Sequence, residues 1–334
     1  MLRGKNVLKY ILKRIAYIVL VFVALSAIIF AIYNLVPGDP AKAEIFPMKN
    51  TLTPQQYQEL YAQTRANMGL DDPIIQRYFK WFFKLIRLDL GLSSRYSKPA
   101  LEVLMSPLRN TILINIFVTI FALLITIPLG IRMAVKKNSL FDRSIQVVTL
   151  VGVSMPIFIV ALIFIYIFAV RLQWLPVSGM NTAGIAKGGW AYTLDTLKHL
   201  VLPVMVLVLT SLASTTRYIR AAMIDALSMD YIRTARAKGV KEKTVIYSHA
   251  WRNALLPVVT LLVGWVVGIF AGSLITESMF SINGLGKFFL DSLNTQDWNV
   301  AMAIQMFYVI LALLSNLIMD ISYGLVDPRV RIAD

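Results

Sequence analysis

Six stretches of this 334-residue chain contain no Asp, Glu, Lys or Arg. Each is mostly apolar, and their lengths run from 18 to 27 residues. A helix rises about 1.5 Å per residue and needs about 20 apolar residues to cross the hydrocarbon of a bilayer. The sequence therefore predicts an all-α membrane protein with six transmembrane helices, at residues 15–38, 110–131, 144–170, 199–216, 253–276 and 298–319.

Composition supports this class: 57% of the residues are hydrophobic and only 15% are charged, whereas soluble domains are about 25% charged. The chain has no cysteine, which excludes disulfides, thiolate metal sites and a cysteine nucleophile. A net charge of +15 could indicate a nucleic-acid partner, but its distribution along the chain indicates membrane topology instead.

Lys and Arg concentrate in alternate connections between the predicted spans. The N-terminal segment, the connections 132–143 and 217–252 and the C-terminal tail hold 19 in 77 residues, against 14 in 120 residues for the other three connections. The positive-inside rule then puts both termini in the cytoplasm, where Asp327 and Arg329 are expected to organise the tail. The excess basic charge is expected to contact anionic lipid and no nucleic acid.

This topology predicts three segments: the N-terminus and first span at 1–38, an extracytoplasmic loop with short helices at 39–109, and a five-helix core at 110–334. In the loop, Thr53 followed by Pro54 predicts the start of a helix ending at Asn67. A second amphipathic helix is predicted at 74–86. Its apolar side consists of Tyr78, Trp81, Phe82 and Leu85. This side either lies along the membrane face or packs on the protein's own surface.

Proline and glycine mark irregular points inside the spans. Met155-Pro156 predicts a kink in the third span, because proline lacks the N–H that continues a helix. Gly264, Gly268 and Gly272 recur every four residues in the fifth span. Such a stripe either permits close helix packing or lines a pathway, and packing is the commoner use.

The connection 217–252 carries strong local helix signals. Asp230 is a predicted N-cap for a helix at 231–238, and Gly239 is a predicted C′ residue in the left-handed conformation. A second helix is predicted from Lys241. We call the resulting helix–glycine–helix segment, residues 230–247, the elbow. Ala235 and Ala237 make it slim enough to enter a groove on another protein; the alternative is a solvated basic loop.

The elbow residues 230–239, followed by His249 and 252–257, resemble the cytoplasmic EAA-type loop of ABC importer permeases. The likeness is to the B-type subunits of the oligopeptide, dipeptide and nickel branch, and it extends over nearly the whole chain. Matching motifs follow the spans in order, at 36–40, 89–91, 175–179, 277–281, 284–286 and 325–331. Arg233 stands at the glutamate position of the generic loop.

The resemblance implies a type I ABC importer permease whose elbow docks into cytoplasmic ATPases. The implied partners are a second homologous permease of the C type, two ATPase subunits, an extracytoplasmic substrate-binding protein and membrane lipid. This chain would bind no cofactor, since ATP and Mg²⁺ belong to the ATPases. Short peptides are the implied cargo, with nickel chelates, glutathione or another small solute as alternatives. The implied coupling residues are Asp230, Tyr231, Arg233, Thr234, Ala235, Ala237 and Gly239.

Five further residues are candidates for the translocation path or a gate. Intramembrane polar groups usually face protein or water, so Asn115 and Ser154 either bond neighbouring helices or line a cavity. Met155 and Pro156 mark the kink. Glu277, at the outer end of the fifth span, is the candidate for an outer gate or for a contact with a peptide's amino end.

Two other classes of protein fit the sequence less well. An intramembrane serine protease would pair Ser154 with His199, but the topology puts these residues at different depths, and a nucleophile needs its base within hydrogen-bond reach. A secondary transporter would be expected to carry mid-membrane carboxylates and repeated halves, which the sequence lacks. A nucleotide-binding loop is not predicted either, because Gly-Leu-Gly-Lys287 is followed by Phe288 rather than Ser or Thr.

Overall fold

The computed structural model describes residues 2–36 and 38–326, with side chains described over 12–36, 38–42, 45–46, 48–255 and 257–322. Every regular element in this part is helical, and one isolated bridge joins Leu92 to Pro99. The predicted roles of Asp327 and Arg329 fall outside the described residues. The all-α class is thus confirmed for the described residues.

Fourteen α-helices occur among the described residues. The segments 46–48, 165–171 and 245–250 form 3₁₀ or π turns beside them. The helices are α1 (Leu2–Leu35), α2 (Pro40–Ile45), α3 (Pro54–Asn67), α4 (Ile74–Ile86), α5 (Ala100–Val135), α6 (Leu140–Ser154), α7 (Ile157–Phe164), α8 (Gly189–Ser228), α9 (Asp230–Ala237), α10 (Glu242–Thr244), α11 (Trp251–Gly268), α12 (Leu274–Met279), α13 (Leu285–Asn294) and α14 (Trp298–Val326).

Four helices are long and apolar enough to cross a membrane unbroken: α1 over Leu12–Leu35, α5, α8, and α14 over Trp298–Ser322. Two further candidates are bent pairs, α6 with the segment Ile157–Arg171 and Glu242–Leu255 with Pro257–Gly268. The predicted number of six spans is therefore reached when each bent pair counts as one span.

Two predicted spans differ in shape from the expectation. The kink at Met155-Pro156 is a break, with a bend of 102° between α6 and the following helix. Met155 has the extended backbone (φ −83°, ψ 128°) that a following proline favours. The predicted span 253–276 is also too long, since α11 ends at Gly268 and α12 begins only at Leu274.

The chain divides into two compact units, and the division differs from the predicted segments. Unit 1 comprises residues up to 109 together with 285–313, and unit 2 comprises 110–284 and the chain from 314 onwards. The segment 285–313 belongs with unit 1 because it shares one buried cluster with the start of α5. That cluster contains Ala100, Leu104, Leu285, Phe288, Val300, Ala303 and Ile304.

In unit 1, α3 begins as the sequence predicts. The Thr53 hydroxyl accepts a hydrogen bond from the Gln56 N–H at 3.3 Å, and the Gln56 side chain accepts one from the Thr53 N–H at 3.0 Å. This reciprocal pair is a capping box, which satisfies two otherwise unpaired backbone donors. Thr53 is therefore confirmed as the N-cap.

Asp39 ties the loop together just after α1. Its carboxylate accepts hydrogen bonds from the Ala41 N–H at 3.0 Å, from Arg65 Nη1 at 2.9 Å and from the Tyr61 hydroxyl. Burial raises the pKa of Asp39, but the hydrogen bonds from Tyr61 and from the backbone, with the charge of Arg65, outweigh it. The net result is a pKa below the ordinary value of 3.8.

The aromatic side of α4 packs on α1. Phe82 lies 6.1 Å from Phe22 between ring centroids, and Trp81 lies 5.4 Å from Phe30. Leu85 is 5% exposed and shares a buried cluster with α1. Of the two alternatives for this side of α4, packing on the protein is therefore confirmed.

Unit 2 holds two buried clusters. One joins α5, α7 and α8 through residues such as Ile114, Val160 and Leu202. The other joins α5, α8, α9 and α11, and it carries the elbow. A Cβ added to Gly264 or Gly268 would meet nothing within 4 Å, so the close packing predicted for the glycine stripe is not found at these two positions within the chain.

Candidate functional site

The first helix of the elbow, α9, begins one residue earlier than predicted. Met229 has the extended backbone of an N-cap (φ −72°, ψ 150°), but no side chain caps the helix. Asp230 is the first helical residue instead of the N-cap, so the predicted capping role is wrong. Its carboxylate still lies in the first turn, where negative charge favours the positive end of the helix dipole.

Gly239 ends α9 as predicted. Its φ is +73°, a left-handed conformation that glycine adopts without a Cβ penalty. The Gly239 N–H donates to the Arg236 carbonyl at 3.0 Å, and the Val240 N–H donates to the Ala235 carbonyl at 3.2 Å. This pair of bonds is a Schellman motif. A sharp, hydrogen-bonded bend therefore follows α9.

One side of the elbow is anchored in unit 2. Ile232 is fully buried and Ala235 is 8% exposed, in the cluster that also contains Ile219, Met223 and Val245. Ala235 thus contacts the chain's own helices. The other predicted coupling residues are exposed; they are Asp230, Tyr231, Arg233, Thr234, Ala237 and Gly239. Met229, which the sequence analysis did not single out, is 50% exposed beside them.

An ion pair braces the bend. Arg236 Nε and Nη2 donate to the two carboxylate oxygens of Glu242 at 3.1 and 2.6 Å. The pair spans Gly239 and links α9 to α10. The opposite charges six residues apart, on either side of a predicted bend, were a signal that could have revealed this contact. The pair between Arg233 and Asp230, at 3.6 Å with both side chains largely exposed, adds little.

A second ion pair holds α8, the helix that leads into the elbow. Arg220 on α8 donates two hydrogen bonds of 2.7 Å to the carboxylate of Asp142 near the start of α6. Asp142 is completely buried and also accepts the Asn138 N–H at 2.9 Å. Paired hydrogen bonds of this kind are strong and directional. No sequence signal connects the two residues, because 78 positions separate them.

Asn115 caps the carboxyl end of α11. Its side-chain amide on α5 donates to the carbonyls of Gly268 at 3.3 Å, Ile269 at 3.2 Å and Ala271 at 2.7 Å. These carbonyls lie at the end of a helix, where intrahelical donors are missing. Of the alternatives for Asn115, bonding to a neighbouring helix is the one that the structure contains, and its role in a path stays a prediction.

Glu277 is buried, with 3% of its surface exposed. Its carboxylate accepts hydrogen bonds from the Thr111 hydroxyl on α5 at 2.8 Å and from the Ser273 N–H at 3.3 Å. A Cβ on Gly284 would lie 2.3–2.7 Å from the same carboxyl group, so only glycine leaves room there. In this conformation Glu277 therefore holds the segment after α11 against α5, and its role as an outer gate stays a prediction.

The remaining candidates lie at the break in the third span. Ser154 and Pro156 are exposed on either side of half-buried Met155. The Ser154 hydroxyl donates to the Leu150 carbonyl at 2.9 Å in its own helix, and the His199 ring contacts the Asp195 carbonyl at 2.8 Å in its own helix. Among the described residues, no group of three or more His, Cys, Asp and Glu could hold a metal ion.

Comparison with known protein families identifies two matching regions. Residues 126–332 match the model described as binding-protein-dependent transport system inner membrane component, which includes the elbow and the polar residues after α11. Residues 7–101 match the model for the N-terminal part of such components. Together the two models cover most of the chain.

Curated relatives match over almost their full length. The oligopeptide transport system permease protein AppB of Bacillus subtilis is 37% identical, over 96% of this chain and 99% of that protein. The dipeptide transport system permease protein DppB of Escherichia coli K12 is 34% identical, over 97% and 99%. The di/tripeptide transport system permease protein DppB of Pseudomonas aeruginosa is 33% identical, over 97% and 99%.

These matches decide between the classes of protein considered from the sequence. They favour a multi-pass bacterial membrane component of a transport system over an intramembrane protease, and they agree with the candidate spans. The chain belongs to the family of binding-protein-dependent transport system inner membrane components, as a permease subunit related to the B-type oligopeptide and dipeptide permeases.

Proposed function

We propose that this chain forms half of the translocation pathway of an ATP-driven importer of short peptides. It would couple that pathway to cytoplasmic ATPases through the elbow. The observation that carries the proposal is the two-sided construction of the elbow: one side is fixed in the buried cluster of unit 2, and the other side is exposed. A segment built in this way can transmit a displacement from a partner to the spans.

The exposed side has the properties of a docking surface. Tyr231 and Met229 are 40% and 50% exposed, and aromatic residues and methionine are enriched in protein–protein interfaces. Ala237 and Gly239 bring the backbone close to the surface at the bend. Arg236 and Glu242 hold the shape, so little conformational entropy would be lost when the elbow enters a cleft.

Displacement of the elbow would reach the spans through α8. The last turns of α8 carry Ile219 and Met223, which share one buried cluster with Ile232 of the elbow. Arg220, on the same turns, is bonded to Asp142 of α6. The elbow, α8 and α6 would therefore move together, which fits a two-state element that nucleotide binding biases from one side.

The complete transporter would contain a second permease of the C type, two ATPase subunits that bind ATP and Mg²⁺, and an extracytoplasmic substrate-binding protein. Its termini and elbow would lie in the cytoplasm, in agreement with the distribution of Lys and Arg. The names of the relatives favour peptides as cargo. Nickel chelates, glutathione or another small solute are the alternatives, and ligand retained by the purified binding protein, identified by mass spectrometry, distinguishes them.

The coupling role of the elbow is tested by replacing, in turn, two glycines that share one backbone conformation. Gly239 and Gly184 have φ values of +73° and +83°, and a Cβ at either position would meet nothing within 4 Å. Gly239→Val and Gly184→Val therefore introduce similar local strain, one in the elbow and one in the connection between α7 and α8. Each variant is produced with the partner subunits and reconstituted for uptake of a labelled tripeptide.

We expect Gly239→Val to abolish uptake and to lower the amount of ATPase subunits that co-purify, while the chain still inserts into the membrane. Gly184→Val is expected to retain both. Normal uptake by Gly239→Val, or ATPase subunits lost with no change in uptake, would contradict coupling through the elbow. Absence of ATPase subunits from the unmodified complex would contradict the whole proposal.

A further inference from the structure

The helix α4 has a second apolar side that nothing in the described chain covers. Its 13 residues are too few to cross a bilayer. One side packs on α1, as described above. A neighbouring stripe spaced by three or four residues is 52–69% exposed. It consists of Ile75, Phe79, Phe83 and Ile86. A single exposed apolar residue needs no explanation, but a continuous stripe indicates a partner surface.

The depth of α4 along α1 indicates what that partner is. The Tyr78 hydroxyl lies 2.9 Å from the Ser26 hydroxyl and 3.3 Å from the Val23 carbonyl. Val23 is 12 residues before Leu35, the end of the candidate span, which is about 18 Å along a helix. This is roughly half the thickness of the hydrocarbon layer. Because α1 crosses the membrane, α4 lies beside it within the same layer.

The basic residues of α4 lie on a different side of the helix from its apolar residues. The side of the helix that faces neither α1 nor the exposed stripe carries Lys80, Lys84 and Arg87. Arg77 borders that side and lines a cavity with Tyr33 and Asn34 at the end of α1. Lys80 pairs with Asp72 at 2.6 Å. The others make no side-chain hydrogen bond or ion pair with any residue described, and they are Arg77, Lys84 and Arg87. A helix with one apolar and one basic face turns the apolar face toward hydrocarbon and keeps its charged groups away from it.

We propose that α4 is embedded in the leaflet at the carboxyl end of α1, with phospholipid covering its exposed stripe. Acyl chains contact Phe79 and Phe83, and the basic side with Lys84 and Arg87 faces away from them. A water-soluble protein cannot reach a surface that lies alongside the middle of a membrane span. Lipid therefore fits the stripe better than the substrate-binding protein does.

The test uses the absence of native cysteine, which makes each introduced cysteine unique. Phe79→Cys and Phe83→Cys place a nitroxide spin label on the stripe. Lys84→Cys places it on the basic side, and Gln63→Cys places it on an exposed position of α3. The complete complex is reconstituted into vesicles of phosphatidylethanolamine and phosphatidylglycerol. Collision of the label with oxygen, which enters lipid, and with a water-soluble nickel chelate is then measured.

We expect labels at positions 79 and 83 to be accessible to oxygen and shielded from nickel, and labels at 84 and 63 to be accessible to nickel. Nickel access at 79 and 83 would overturn the proposal, because it puts the stripe in water. Shielding from both reagents would also overturn it, because it means that protein covers the stripe. A change at 79 on adding the substrate-binding protein would favour that protein as the partner. All four positions are exposed, so no buried side chain is replaced.

Discussion

Removal of Asp142 provides the sharpest test of how α8 is held. Asp142→Leu deletes both 2.7 Å hydrogen bonds to Arg220 and leaves the guanidinium of Arg220, whose side chain is only 18% exposed, without its counter-charge. Breaking a buried ion pair from one side costs about 3–5 kcal/mol, because the remaining charge stays desolvated. We expect the free energy of unfolding to fall by that amount.

The double variant Asp142→Leu with Arg220→Met separates the buried charge from the loss of packing. Because apolar replacement of both partners is often neutral or stabilising, it should recover most of the lost stability. Glu102→Gln is the control, since Glu102 pairs with Lys98 and both side chains are about 60% exposed. An exposed pair of this kind is worth under about 1 kcal/mol.

The free energy of unfolding is measured by steric trapping, in which two neighbouring biotinylated cysteines can both bind streptavidin only when the chain unfolds. The cysteine-free chain permits this without background labelling. Uptake is measured in parallel, because a loosened α8 should impair coupling. If Asp142→Leu costs less than Glu102→Gln, or if the double variant is no more stable than the single one, the ion pair does not hold α8 and the reasoning fails.

Three further outcomes are expected. Asn115→Leu removes the hydrogen bonds to the end of α11, should cost about 1–3 kcal/mol, and should speed hydrogen exchange in the segment after that helix; unchanged exchange would contradict the capping role. The Cβ of Gly284→Ala would overlap the carboxyl group of Glu277, so this variant should lower the free energy of unfolding by about 1–3 kcal/mol through overpacking. The control Gly152→Ala has no atom within 4 Å of its Cβ and should lower it by nothing in the same assay. The lowered pKa of Asp39 contributes stability that is complete above about pH 4 and is lost as the pH falls through the lower folded-state pKa. The difference in unfolding free energy between the native chain and Asp39→Asn should therefore shrink over that range. A difference that stays constant with pH would refute this.

Features that depend on neighbouring residues were predictable from the sequence. The charge-free stretches mark the spans because bilayer hydrocarbon excludes charge wherever it occurs along the chain. The capping box at Thr53 and the left-handed Gly239 depend on residues within one helical turn. These local rules correctly located α3 and the carboxyl end of α9. They misplaced the start of α9 by one residue, because Met229 takes the N-cap position without a capping side chain.

The features that determine how the chain could work depend on residues far apart in sequence. Asn115 ends α11 from 153 positions away, and Thr111 bonds Glu277 from 166 positions away. Composition cannot pair such residues, since any polar side chain in a span satisfies the local rules equally well. Tertiary structure also decided which alanine of the elbow is buried. The sequence alone determined that this chain enters a membrane and bends at Gly239, whereas only the packing of α5, α8 and α11 decided which residues anchor the elbow, because those contacts join residues far apart in the chain.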